Sequence, residues 1–252
     1  MIVSSIRLNG MKIGICGGSG RMGSLVEKLS AENGHDVVTK INHETTDVLS
    51  ELTAARPDVC IDFSCPKGTY ELCSAAVQCS LPVVVGTTGL NENDIAFIKK
   101  CSYDIPILVS SNFSIGIHVM KRIVTEVTKL LPNIFDIEII ETHHNRKKDA
   151  PSGTALSLME SVKDARAWVS PVFGRNGMSE RKISDVGIHS VRGGNVVGDH
   201  EVCFFGPNEE LRIMHHANNR EIFAMGALIA AKWLFAKNEN GLFSLDDVFK
   251  LP

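Results

Sequence analysis

The chain has 252 residues, of which 44% are hydrophobic, so it can bury a sizeable core as one large domain or two smaller ones. Its 26 lysines and arginines nearly balance 29 aspartates and glutamates, which predicts neither a nucleic-acid partner nor a membrane surface. Seven irregularly spaced cysteines without a C-x-x-C pair favour reduced thiols in a cytoplasmic protein over a disulfide framework or a zinc ribbon.

The first organised segment begins at Met11, which is an alternative start of translation to Met1. The preceding ten residues are too short and too polar for a signal peptide, and no apolar stretch approaches the roughly 20 residues of a membrane span. Residues 11–16 predict a strand that ends in the turn GGSGRMG, and a helical pattern follows. Residues 36–41 predict a second strand, so the chain opens as a βαβ unit.

The alternation of strands and helices continues to residue 113. The predicted strands cover residues 59–63, 82–85 and 107–109, and the predicted helices cover residues 69–79 and 92–101. Short apolar strands that alternate with helices indicate a parallel sheet covered on both faces. The strand ends GGSGRMG, DFS, GTTG and SSNFS would share one edge of this sheet, where ligands bind in such folds.

The pattern changes after residue 113. A long amphipathic helix, a strand, a second helix, a β-rich region and an apolar helix are predicted, at residues 117–131, 134–140, 153–162, 183–216 and 223–235. We therefore expect a nucleotide-binding domain followed by an α+β domain, with the last helix free to pack on either. Domain closure is expected of such a layout, with hinges near residues 112–114 and 217–223.

The glycine turn fits both G-x-G-x-x-G and G-x-x-G-x-x-G. Its first glycines permit a tight turn close to a pyrophosphate, and Gly23 allows the helix to pack on the strand. Arg21 adds a charged contact. The acidic residue that would bind the adenosine ribose is missing, because Asn42 and His43 follow the second strand. NADPH and NADH therefore both remain open as cofactors.

The stretch ETHHNRKKDAPSGTA, residues 141–155, combines a proton donor, a cation and an anion-binding helix start. A strand that runs to about Thr142 would place His143 and His144 on opposite sides. Ser152 is a good N-cap, and the N–H groups of the two residues after it would bind a carboxylate. An imidazole beside that pocket can donate a proton near neutral pH.

Simpler interpretations remain for this stretch. A histidine pair is often part of a surface, Arg146 and Lys148 read as solvated side chains, and PSGT alone is a helix cap. A second pair, His215 and His216, raises the question of a metal. Adjacent histidines on a strand do not readily chelate one ion and no H-x-x-x-H motif is present, so we expect no metal.

The whole run closely resembles the signature of the dihydrodipicolinate reductases, now called 4-hydroxy-tetrahydrodipicolinate reductases, of lysine and diaminopimelate biosynthesis. The motifs GGSGRMG, IDFS, VVGTTG, SSNFSIG, SVRGGNVVGDHEV and FAMGALIAAKWL also occur in the order of that family. The resemblance implies NAD(P)H-dependent reduction of a small dicarboxylate, 4-hydroxy-tetrahydrodipicolinate, to tetrahydrodipicolinate.

The resemblance also implies an architecture. We expect an α/β fold, with a Rossmann-like parallel-sheet nucleotide-binding domain and a smaller α+β substrate domain built on a mixed sheet. The last helix would return to the first domain. The nucleotide-binding domain would then comprise residues 1–112 plus 223–252, and residues 113–222 would bind substrate and form a homotetramer.

Carried over by resemblance, His143 is the catalytic proton donor and Lys147 its basic partner. The residues implied to bind substrate are His144, Ser152, Gly153 and Thr154. The residues implied to bind the cofactor, including the two that decide ribose choice, are Gly17, Gly18, Ser19, Gly20, Arg21, Met22, Asn42, His43, Gly86, Thr87, Thr88, Ser110, Ser111, Asn112 and Phe113.

Two other functions are weighed. A relative of the aspartate or semialdehyde dehydrogenases would share the two-domain layout, but a semialdehyde dehydrogenase needs a nucleophilic cysteine. Cys203 is the only cysteine after Cys101, and it lies in an apolar run. A non-enzymatic NAD(P)-sensing domain would have no use for the His-His-x-x-Lys cluster.

Overall fold

The computed structural model of the chain describes residues 10–249. Residues 1–9, on which the choice between Met1 and Met11 depends, lie outside this range. The elements, in chain order, are β1 (Lys12–Cys16), α1 (Arg21–Glu32), β2 (Asp36–Ile41), α2 (Val48–Ala55), β3 (Val59–Asp62), α3 (Pro66–Gln78), β4 (Val83–Val85), α4 (Glu92–Cys101), β5 (Pro106–Val109), α5 (Ile115–Leu130), β6 (Asp136–His143), α6 (Gly153–Ala165), β7 (Ser170–Phe173), β8 (Asp185–Arg192), β9 (Asp199–Phe205), β10 (Glu210–His216), α7 (Glu221–Phe235), β11 (Gly241–Phe243) and α8 (Leu245–Val248).

The described chain divides into two compact units. The residues up to Phe113 and from Arg220 onward form the first unit, and Ser114–Asn219 form the second. The first unit holds a parallel sheet in the order β11-β5-β4-β3-β1-β2. Val84 packs with α1 and α7 on one face, and Val83 and Val85 pack with α2, α3 and α4 on the other. The expected Rossmann-like sheet, covered on both faces, is confirmed.

The second unit is built on a mixed sheet, as expected, in the order β10-β9-β6-β8-β7. Its central strand β6 pairs antiparallel with β9 and parallel with β8. Burial alternates along β6, and its buried residues Ile137 and Ile139 pack with α5 and α6 on one face of the sheet. Glu141 and His143 follow at the same spacing and are also buried. They therefore lie on the helix-covered face.

The structure corrects several predicted boundaries. β6 covers Asp136–His143 rather than residues 134–140, because its pairing with β8 extends to His143, opposite Arg192. α3 begins at Pro66 rather than residue 69, because proline is favourable in the first turn of a helix. Four short elements, α2, β7, β11 and α8, are absent from the sequence prediction.

Candidate active site

The glycine turn between β1 and α1 has the geometry of an anion site. Gly17 has a φ of +80°, and a Cβ there would lie 2.5 Å from the carbonyl oxygen of Phe63, so the turn accepts glycine alone. Gly20 is the N-cap of α1, no side chain caps the helix, and its first turn contains no acidic residue. The N–H groups and dipole of α1 thus suit a pyrophosphate.

The other two expected cofactor segments follow β4 and β5 at the same edge of the sheet. The hydroxyl of Thr87 donates to the fully buried carboxylate of Asp62 at 3.0 Å, and the hydroxyl of Ser110 donates to the Asn112 carbonyl at 2.8 Å. The side chain of Phe113 is buried, 1% exposed, in the core of the first unit. The side chains of Thr87, Ser110 and Phe113 therefore hold these loops in place.

An acidic pocket lies beyond the end of β2. Asn42 lines it, whereas His43 is not among its lining residues. The Asn42 side-chain oxygen accepts a hydrogen bond from the Glu44 N–H at 2.9 Å. Lys40, the nearby cation, has its Nζ 2.9 Å from a carboxylate oxygen of Glu27. The residues that line the pocket are Asn42, Glu44, Thr45, Thr46, Asp47, Ser50 and Glu51.

In the second unit, His143 is paired with a carboxylate that the sequence prediction missed. Its Nδ1 lies 2.5 Å from Oε2 of Glu141, two residues earlier on the same face of β6. Both residues are buried, Glu141 completely. The other ring nitrogen, Nε2, lies against Gly198, where a Cβ would come within 3.0 Å of it. Glycine at this position keeps the surroundings of Nε2 open.

Glu141 also binds Arg192 and the start of α6. Arg192 donates to both of its oxygens, at 2.7 and 2.8 Å, and the Ser152 N–H donates to Oε1 at 3.1 Å. Burial alone would raise the pKa of Glu141, but the hydrogen bonds from Arg192, Ser190, His143 and Ser152 outweigh it and lower the pKa from 4.5 to about 2. Glu141 is therefore a buried, ionised carboxylate.

The start of α6 has the predicted form. Ser152 is the N-cap, and its hydroxyl accepts a hydrogen bond from the Ala155 N–H at 3.1 Å. Gly153 is exposed and a Cβ added there would meet nothing within 4 Å, so there is open space over the first turn. Thr154 follows in the same turn. The exposed N–H end of a 13-residue helix is suited to a carboxylate.

The basic residues of the stretch separate into different environments. Lys147 is partly buried, its side chain 21% exposed, and its Nζ lies 2.8 Å from a carboxylate oxygen of Asp149. The pairing lowers the pKa of Asp149. Arg146 is exposed and donates to Asn195 at 2.9 Å, and Lys148 is also exposed. His144 follows the end of β6, next to the buried His143.

A histidine that the sequence prediction missed, His200, lies beside Glu141. His200 on β9 is opposite Glu141, and His215 on β10 is opposite His200. Nε2 of His200 lies 3.1 Å from the hydroxyl of Ser152, and its ring meets that of His143 edge to face at 5.1 Å. Burial and the neighbouring His143 lower the pKa of His200 from 6.5 to about 4, so this ring is neutral at pH 7.

The structure also bears on the nucleophilic cysteine, the metal site and the membrane span considered above. Cys203 is completely buried in β9 and burial raises its pKa to about 11, which does not suit a nucleophile. Within residues 10–249, no three His, Cys, Asp or Glu side chains are grouped so that they could hold a metal ion. In the same range, no helix combines the length and the apolar character needed to cross a membrane.

Comparison with known proteins identifies the same family for both units. The family model described as Dihydrodipicolinate reductase, N-terminus, matches residues 11–113, and the one described as Dihydrodipicolinate reductase, C-terminus, matches residues 116–249. A solved structure of dipicolinate-bound dihydrodipicolinate reductase from Paenisporosarcina sp. TG-14 has a similar fold, with a TM-score of 0.78 and 23% identity. The match covers 95% of this chain and 100% of that one.

Curated relatives are more similar in sequence. The 4-hydroxy-tetrahydrodipicolinate reductase of Caldanaerobacter subterraneus subsp. tengcongensis is 42% identical over 248 residues, which cover 94% of this chain and 97% of the relative. The enzyme of the same name from Haloarcula marismortui is 37% identical over 249 residues, covering 94% and 98%. The resemblance seen in the motifs is thus confirmed along nearly the full length, and the chain belongs to the dihydrodipicolinate reductase family.

Proposed function

We propose that the chain catalyses the NAD(P)H-dependent reduction of 4-hydroxy-tetrahydrodipicolinate to tetrahydrodipicolinate, with loss of water, in lysine and diaminopimelate biosynthesis. Membership of the family supports this reaction. The structural observation that carries it is the arrangement in the second unit, where His143 and the open N-terminus of α6 are held by one carboxylate, Glu141.

The glycine turn and the N-terminus of α1 would hold the cofactor pyrophosphate, and the bound nicotinamide would supply the hydride. The substrate carries two carboxylates. One would be held by the N–H groups of Gly153 and Thr154 together with the Ser152 hydroxyl, and Lys147 and His144 would add a charge and a hydrogen bond. His143 would donate a proton to a ring carbon of the reduced substrate from Nε2, because its Nδ1 is held by Glu141.

We further propose that the pocket beyond β2 favours NADH over NADPH. A 2′-phosphate carries close to two negative charges. The pocket presents Glu44, Asp47 and Glu51, and among its described lining residues there is no lysine or arginine. The charge of Lys40 is offset by Glu27. A 2′-hydroxyl suits this lining, and a phosphate is repelled by it.

Dissociation constants for NADH and NADPH test the cofactor preference. We expect NADH to bind about 10-fold more tightly, a difference of about 1.4 kcal/mol. Glu44→Gln should narrow the ratio, because it removes one carboxylate from the pocket. The matched control is Glu71→Gln, on the exposed side of α3. Tighter binding of NADPH by the unmodified chain would contradict the proposal.

An assay of NAD(P)H oxidation, with dihydrodipicolinate synthase supplying the substrate, tests the reaction. We expect turnover by the unmodified chain and loss of at least 10²-fold in kcat for His143→Ala, with cofactor affinity retained. A chain that binds the cofactor but gives no turnover would refute the function.

We also propose a homotetramer, which rests on the family resemblance and predicts a mass in light scattering four times that of the chain.

A further inference from the structure

Glu141 connects His143 and Ser152, two parts of the proposed site that are nine residues apart in the chain. Its Oε2 accepts a hydrogen bond from the Nδ1–H of His143 at 2.5 Å, and its Oε1 accepts one from the backbone N–H of Ser152 at 3.1 Å. We propose that Glu141 is a positioning residue that holds the proton donor and the carboxylate-binding end of α6 in one fixed geometry. The inference rests on the proposed function, and it adds a role for a residue that does not touch the substrate.

The first effect of Glu141 is on the tautomer of His143. An ionised carboxylate can only accept hydrogen bonds, so the ring nitrogen that faces it, Nδ1, carries a hydrogen. The exchangeable proton of the imidazolium form is then on Nε2, the atom that lies against Gly198. Glu141 therefore sets which ring nitrogen of His143 donates the proton.

The second effect is on the spacing of the site, and it depends on Arg192. This residue binds Glu141 through two parallel hydrogen bonds and also donates to the Asp149 carbonyl at 2.6 Å, in the loop that leads to α6. Its side chain is 18% exposed. The two hydrogen bonds from Arg192 to Glu141 offset the cost of burying the carboxylate. Through Glu141 and the Asp149 carbonyl, Arg192 also holds the loop between His143 and Ser152.

Replacement by the isosteric amide separates positioning from ordinary structural support. In Glu141→Gln we expect kcat to fall about 10²-fold and the neutral His143 ring to lose its single tautomer, because an amide, unlike a carboxylate, can donate as well as accept a hydrogen bond. The dissociation constant of NADH should stay within about 2-fold. A loss of kcat with the tautomer of His143 unchanged would reduce Glu141 to a structural residue and overturn the proposal.

Glu138→Gln is the matched control, on the same strand. Glu138 lies three residues earlier, on the opposite face of the sheet, and contacts His189 at 2.7 Å and Arg181 at 3.4 Å. Like Glu141, it contacts a histidine and an arginine, but it lies on the other face of the sheet. We expect the kcat and the His143 tautomer of Glu138→Gln to match those of the unmodified chain.

Two measurements keep the inference testable in every case. If Glu141→Gln does not fold, the double variant Glu141→Gln/Arg192→Leu removes both charges, and the same loss of a single His143 tautomer is expected. Long-range ¹H–¹⁵N NMR of the histidine rings reports the tautomer of His143 without a turnover assay. Neutral His143 protonated on Nε2 would overturn the inference, whereas an unmodified chain without turnover would refute the proposed reaction alone.

Discussion

Neighbouring lysines in the signature stretch allow a comparison at the level of single side chains. Lys147 is partly buried against Asp149, next to the end of β6, whereas Lys148 is exposed. We expect Lys147→Ala to lower kcat/KM by about 10²-fold or more, because a dianionic substrate loses its charged partner there. Lys148→Ala, which removes the same charge one residue away, should stay within about 2-fold.

Steady-state kinetics and NADH binding of the two lysine variants decide this prediction. Equal effects of the two substitutions would mean that only the summed charge of the stretch matters. A large loss of NADH binding in Lys147→Ala would mean that Lys147 acts at the cofactor site rather than at the substrate site. Ionic strength must be held constant, since added salt screens exposed charges such as Lys148 more than partly buried ones.

Sequence prediction is limited for residues whose partners lie on other strands. Local spacing is sufficient to predict the Ser152 cap and a histidine on each side of the strand, whereas the choice of His143 over His144 rests on the resemblance to the family. Period-2 alternation places Glu141 on the same face as His143, and that signal was available. The partners Arg192 and His200 could not be found in this way, since they meet Glu141 only through the pairing of β6 with β8 and β9.

At the level of elements, the first turn of α6 can be probed by filling the space above it. A Cβ at Gly153 meets nothing within 4 Å, so the fold should accept a side chain there. Gly153→Val should then raise the substrate KM about 10-fold or more with a smaller change in kcat, because the new methyl groups occupy the carboxylate site. Glu160→Gln, on the exposed side of the same helix, is the control. An unchanged KM would show that the turn is only a helix cap.

The strand β9 carries a second prediction, on stability against pH. His200 has a pKa of about 4 in the folded chain and about 6.5 when unfolded, so between these values the unfolded state binds more protons. Stability contributed by the neutral ring is therefore complete above pH 6.5 and falls by up to about 3 kcal/mol as the pH drops to 4.

Denaturant unfolding of the unmodified chain and of His200→Gln, at several pH values between 4 and 7, measures this effect. The glutamine cannot titrate, and its amide can still hydrogen-bond to Ser152, so the slope of stability against pH should be shallower in the variant. Parallel slopes would assign the acid sensitivity to other groups. Glu141, with its pKa of about 2, adds its own loss only as the pH falls below about 4.5.

Elements also differ in how well local sequence determines them. The bounds of β2 and α4 were predictable, since β-branched residues occupy four of the six positions of β2 and the Asn91–Asp94 capping box fixes the start of α4. The short strands β7 and β11 have four and three residues. Each is defined by pairing with another strand, β7 with β8 and β11 with β5, which is distant from it in sequence. Segments of this length carry too little periodicity to be recognised alone.

For the whole molecule, the assignment of one ligand to each compact unit predicts two separate protection patterns. NADH should slow amide hydrogen exchange in the glycine turn and the first turn of α1, since those N–H groups would bind its pyrophosphate. Dipicolinate, a planar analogue of the substrate, should slow exchange at Gly153 and Thr154. At 100 times its dissociation constant, each ligand adds about 2.7 kcal/mol to the folded state that binds it, or about 10²-fold slower exchange through opening of that state.

Hydrogen-exchange mass spectrometry of the full chain, with each ligand alone and with both together, measures these patterns. Gly153→Val is the internal control, because it should abolish the protection by dipicolinate and leave that by NADH unchanged. Protection of the glycine turn by dipicolinate alone, or of the α6 N-terminus by NADH alone, would contradict the assignment of pyrophosphate to one helix start and carboxylate to the other. We expect Lys147 and the Glu141–His143 pair to direct the carboxylate to α6, and the uncapped first turn of α1 to accept the pyrophosphate.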